Sequence, residues 1–164
     1  MSGRSHVRLG CTAASAAVLA LAVIVLGALT PGYDQASDAV SRLASPGEPG
    51  ALGARASFVA YGLLVLAGAG AVRHYVRRFE RTLTCCLTLY GIASVVGGIA
   101  PKDQPGAPHT AVSELHVVAC VLAGALAVGA MILVARGGPT QAARRAAAAT
   151  ALLTTMAAIA FKYT

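Results

Sequence analysis

Long apolar runs joined by short polar connections dominate the chain. Five of them, residues 9–30, 56–72, 82–100, 112–134 and 143–161, approach the length of a membrane-crossing helix, which needs about 20 predominantly apolar residues. The second run is short and the fifth is rich in alanine. No stretch alternates apolar and polar residues with period two, which argues against a β-barrel. The pattern predicts an all-α fold. It is a polytopic membrane helical bundle of five transmembrane helices, forming one integral membrane domain over residues 1–164.

The connection after the first run predicts a further element. From Asp34 to Ala44 nothing breaks a helix. Tyr33, Ala36, Val40 and Leu43 fall on one stripe, and Asp34, Asp38 and Ser41 on another. Asp34 can cap the N-terminus, and Asp38 with Arg42 makes a favourable i,i+4 pair. A short amphipathic helix along the outer membrane surface is expected, followed by a turn at Ser45-Pro46-Gly47-Glu48-Pro49-Gly50. Gly62, Gly68, Gly70, Gly91, Gly97, Gly98, Gly124 and Gly129 lie within the runs. There they are read as packing positions, where small residues let helices approach closely in lipid.

Composition supports the membrane assignment: 57% of residues are hydrophobic and 12% charged, about half the charged share of soluble domains. The net charge of +7 does not indicate nucleic acid binding, because its placement follows the runs. Arg4 and Arg8 precede the first; Arg73, Arg77, Arg78 and Arg81 separate the second and third; Arg136, Arg144 and Arg145 separate the fourth and fifth. With alternating spans these share one face, leaving Arg42, Arg55, Lys102 and Lys162 opposite. Short cationic loops stay cytoplasmic. The expected location is therefore the cell membrane, with the N-terminus cytoplasmic and the C-terminus outside. The basic clusters would meet anionic lipid headgroups. The first run exceeds the ~7–15 apolar residues of a signal peptide, and no small-residue cleavage site follows it, so it is read as a retained helix. Cys11, Cys85, Cys86 and Cys120 form no disulfide framework and are read as packing residues.

Candidate chemistry gathers at the acidic face. Asp34, Asp38, Glu48, Asp103 and Glu114, five of the six carboxylates, lie in or beside the connections 31–43 and 101–116, together with His109 and His116. At 100° per residue Ser113, His116, Cys120 and Gly124 share a helical face. Thr84, Thr88, Gly91, Ser94 and Gly98 form a matching stripe on the preceding run. His116 thus enters the membrane on a polar, small-residue stripe, where ionisable groups usually face protein or water. The functional reading joins Asp38 or Asp103 to His116 as an acid–base unit completed by Ser41, Glu114 or a water. The structural reading pairs Asp38 with Arg42 and Asp103 with Lys102, and lets His116 hydrogen-bond a neighbouring helix. Ligand spacing matches no strong metal motif, and no Walker loop, nucleophile elbow or dinucleotide fingerprint is present. No metal and no cofactor are expected.

The pattern Pro31-Gly32-Tyr33-Asp34, then Asp38 with Ser41-Arg42-Leu43, then Pro101-x-Asp103 and a histidine opening the next helix, resembles the bacterial and archaeal membrane family called domain of unknown function 998. The similarity runs from the first through the fourth helix. It implies a small multi-pass bundle with Asp38, Ser41, Asp103 and His116 at the family's polar positions, and brings no established activity. It also implies six helices, one more than this chain shows. Two functions fit the residues. One is a membrane-embedded enzyme acting on a lipid or isoprenoid-like substrate, by hydrolysis or by proton-initiated rearrangement or cyclisation. The other is a non-catalytic membrane subunit or lipid-binding scaffold, with an oligomer or partner subunit. A transporter is third, since neither an inverted repeat nor a centrally charged helix is present.

Overall fold

A computed structural model describes residues 3–72, 76–104 and 106–160. Arg73, Phe161 and Lys162, which enter the charge and helix arguments, lie outside them. Five α-helices account for most of the described chain: α1 (Gly3–Leu29), α2 (Ala51–Val72), α3 (Glu80–Ile99), α4 (Ala111–Gly137) and α5 (Gln141–Ala160). No strand occurs among the described residues. Three helices, α2, α3 and α4, are long and apolar enough to cross a membrane. In α1 the apolar stretch covers Ala14–Leu29, and α5 is polar and cationic at its start, with Gln141, Arg144 and Arg145.

Successive helices pack in chain order, α1 on α2, α2 on α3, α3 on α4 and α4 on α5. Glycine sets the closest of these approaches. A Cβ at Gly62 would meet the Gly91 carbonyl oxygen at 2.7 Å, one at Gly91 would meet Leu66 Cγ at 2.7 Å, and one at Gly98 would meet the Arg55 carbonyl oxygen at 2.9 Å. Helices α2 and α3 therefore touch backbone to backbone, the contact that small residues permit in lipid. Gly124 and Gly129 differ: a Cβ on either meets nothing within 4 Å. They are not packing positions between these helices.

The acidic connection after α1 departs from the expected amphipathic helix. Pro31-Gly32 turns the chain, with Gly32 at φ 71°, and the Asp34 carboxylate accepts from the Ala36 N–H and the Ser37 hydroxyl. The Asp38 carboxylate accepts from the Asp34 N–H. These side-chain bonds hold one isolated turn, closed by the Asp38 N–H on the Asp34 carbonyl at 2.8 Å, that does not continue as a helix. Ala39 is then extended at φ −66°, ψ 135°, and only Val40–Ala44 winds, as a five-residue 3₁₀ turn. The expected Asp38–Arg42 ion pair is present.

Two small cores close the ends of the bundle. Leu43, Ala44 and Ala54 pack with Leu26, Tyr33 and Phe58 at the acidic end. Val76, Leu83 and Ala130 pack with Val72, Phe79 and Leu133 at the basic end. Between them, beside the close α2–α3 contact, lies a cavity lined by His116 and Ser41.

Candidate functional site

A cavity of about 470 Å³ lies between the two cores. Every helix contributes: Leu19 from α1, Phe58 and Tyr61 from α2, Tyr90, Ser94 and Gly97 from α3, His116, Cys120, Ala127 and Met131 from α4, and Thr154 from α5. Val40 and Ser41 of the 3₁₀ turn line it at the acidic end. The volume is that of a typical small-molecule site, ~300–1,000 Å³. Apolar and small side chains make most of the wall, with a few polar groups spaced along it. Tyr61 and Tyr90 share a hydroxyl–hydroxyl hydrogen bond and stack edge to face, ring centres 5.9 Å apart.

His116 is the most buried polar group of the wall, 2% exposed. Its Nδ1 lies 2.9 Å from the Gly97 carbonyl oxygen and 2.7 Å from that of Ala100. Both partners can only accept, so Nδ1 carries the proton and donates to them. In the neutral ring Nε2 is then the acceptor, and it faces Cys120 Sγ at 3.4 Å, one turn further along α4. Backbone acceptors on α3 thus fix both the tautomer and the ring orientation.

Arg55 works on the same turn of α3. From inside α2 its Nε donates to the Gly98 carbonyl at 3.2 Å and its guanidinium to that of Ile99 at 2.6 Å. A helix end leaves its last four carbonyls without partners in the helix. Here Pro101 has no N–H to offer. Gly97, Gly98, Ile99 and Ala100 all receive side-chain donors instead, from Arg55 and His116.

The carboxylates do not reach His116. Asp38 bonds Arg42 and the Asp34 amide, and Arg42 also lies 3.7 Å from Glu48. Asp103 accepts from the Thr110 N–H at 2.8 Å and the Thr110 hydroxyl at 3.0 Å, while its own N–H donates to the Ser113 hydroxyl. The Thr110 amide bond, helped by the Thr110 hydroxyl and the charge of His109, holds the Asp103 carboxyl below the usual carboxylate range. The Ala36 amide and Ser37 hydroxyl do the same for Asp34. Thr110 in turn caps α4, its hydroxyl accepting from the Ser113 N–H. Glu114 is exposed in the first turn of α4. Of the five residues singled out by sequence, His116 and Ser41 both line the cavity, while Asp38 and Asp103 brace the two connections.

The profile of a family described as "Protein of unknown function (DUF998)" matches residues 14–164. The chain belongs to that family. Neither the curated proteins nor the solved structures contain a match. The match runs beyond the fourth helix to include α5.

In this DUF998 protein, sequence reasoning missed four residues of the site. Arg55 precedes the second apolar run, so it reads as a loop cation, yet α2 begins at Ala51 and carries Arg55 within its first two turns. Tyr61 and Tyr90 sit in separate apolar runs, and nothing in either run announces the other. Cys120 was placed on the stripe of His116 but read as packing. The i,i+4 spacing His116–Cys120 was the available signal.

Proposed function

We propose that this protein is a five-span integral membrane protein of the cell membrane that takes the apolar tail of a lipid or isoprenoid-like molecule into its central cavity. The observation that carries this reading is the cavity of about 470 Å³ walled by all five helices, with its buried polar group, His116, near the acidic end. An apolar tail matches the wall between the cores, and a headgroup at Ser41 and His116 would meet the polar connections. In this reading α1 and α5 join α2, α3 and α4 as spans, α1 being 27 residues long and α5 20, or about 40 and 30 Å at 1.5 Å per residue. The basic clusters lie in the cytoplasm and the acidic connections outside.

A second reading, acid–base chemistry on the bound molecule, is favoured by one observation: the Nε2 of His116, opposite the backbone that fixes Nδ1, faces Cys120 Sγ, and both residues line the cavity. His116 and Ser41 are then the reacting groups. Asp38, Asp103 and Glu114 act through the loops and the helix start they hold. Photo-crosslinking in nanodiscs tests the binding reading. A diazirine-bearing fatty acyl lipid is expected to label Ala127 and Met131 in the cavity, and unlabelled lipid to compete at low molar excess. Labelling confined to bilayer-facing positions such as Val118 and Val121 would count against it.

A further inference from the structure

Cys120 is the strongest nucleophile on the cavity wall, and its surroundings give it a base. Its Sγ lies 3.4 Å from His116 Nε2, and the opposite ring nitrogen is fixed by two carbonyls of α3. A nucleophile, a base in hydrogen-bond contact and a group that orients the base together make the arrangement of covalent catalysis. Backbone carbonyls of a helix end fill here the orienting role that a carboxylate or amide fills elsewhere. The thiol is also reachable: Cys120 is exposed and borders the cavity beside Ser41, Gly124 and Met131.

We propose that Cys120 and His116 form a nucleophile–base pair that accepts a long-chain acyl group from an acyl ester whose tail occupies the cavity. This rests on the tail-binding reading given above. In an apolar wall a separated thiolate–imidazolium pair is costly, so the resting pair is neutral, S–H donating to Nε2. On attack the Sγ–C bond to the acyl carbonyl carbon forms and the C–O bond to the leaving alcohol breaks. The thiol proton passes to Nε2 and then to the leaving oxygen, which restores neutral His116. Nothing is oxidised or reduced. The product is an S-acyl Cys120 and a free alcohol, and water can later release the acyl group as a fatty acid.

The test uses the full chain in lipid nanodiscs with p-nitrophenyl dodecanoate as the acyl ester. The expected result is one dodecanoyl adduct per chain by intact mass, located at Cys120, removed by hydroxylamine and matched by one equivalent of nitrophenolate. Cys120→Ser should abolish the hydroxylamine-sensitive adduct. His116→Gln, which keeps a donor for the α3 carbonyls but no base, should slow acylation by about 100-fold or more. N-ethylmaleimide labelling of Cys120 in H116Q, compared with wild type in 1% SDS, checks that the variant is folded and its thiol still accessible. No adduct on wild type, equal labelling of Cys11, Cys85 or Cys86, or an unchanged rate in H116Q would each overturn the pair. Tail binding by C120S, measured with the diazirine lipid, separates the two readings. If C120S binds lipid while wild type forms no adduct, the pair fails and the cavity assignment stands; if neither binds lipid, the cavity assignment itself fails.

Discussion

Arg55 and His116 divide the last turn of α3 between them. Arg55 donates to the carbonyls of Gly98 and Ile99, and His116 to those of Gly97 and Ala100. One comes from α2 and the other from α4, so the end of α3 is the point where three helices are tied together. A cationic side chain there also complements the negative end of the helix dipole. The same tie fixes the His116 ring, whose Nε2 faces Cys120 Sγ on the cavity wall.

Removing either donor should destabilise the bundle. His116→Ala leaves two buried carbonyls without partners, and a loss of about 1–3 kcal/mol is expected. His116→Gln should recover part of it, since its amide can donate to the same oxygens. Arg55→Ala should cost less, about 1 kcal/mol, because its guanidinium is partly exposed. Thermal unfolding in one detergent checks the order, with wild type most stable, then H116Q, then H116A.

The glycine contacts separate two classes of substitution. Gly62→Ala and Gly91→Ala place a methyl group under 3 Å from atoms of the facing helix, so each should cost about 1–3 kcal/mol through overpacking. Gly124→Ala and Gly129→Ala meet open space and should change stability by less than about 0.5 kcal/mol. Equal losses in both classes, read from unfolding in sodium dodecyl sulfate, would show that α2 and α3 are not in backbone contact.

The helical content and the position of His116 were legible in the sequence, and the partners were not. Hydrophobic run length found the five helices to within a few residues at most ends. Helical periodicity put Ser113, His116 and Cys120 on one face, where Ser113 and His116 are buried and Cys120 meets the cavity. Arg55 was invisible as part of α2 because a charge shortens an apolar run, whereas its long side chain carries the charge to the end of α3. Asp103 reads as a partner for a histidine. Its bonds to Thr110 depend on how a loop rich in proline and glycine closes, which residue type and spacing do not encode. The turn at Asp34–Ala44 failed as a helix for a related reason. Two aspartates at i and i+4 bond the backbone locally as readily as they decorate a helix.

Stability should fall in acid partly through Asp103. Its folded pKa lies below the ordinary value because the Thr110 amide, then the Thr110 hydroxyl, bond the carboxylate. A depressed carboxylate stabilises the fold fully above its unfolded pKa, about 3.9, and that contribution is lost as pH falls through the folded value. Asp103→Asn should therefore unfold earlier than wild type at pH 6. The gap should narrow as pH drops below about 4. A gap that stays constant to pH 2 would exclude the carboxylate's charge as its source.

The most direct measurement of the central claim is the amount of tail-bearing lipid retained per chain, read by native mass spectrometry on protein released from bilayers. Gly124 lines the cavity and has open space where a side chain would begin, so Gly124→Phe fills the cavity without displacing a neighbouring helix. The account predicts about one retained lipid per wild-type chain, and a loss of most of it in Gly124→Phe at unchanged thermal stability. Equal retention by both proteins would place the lipid elsewhere on the bundle and contradict the assignment of the cavity.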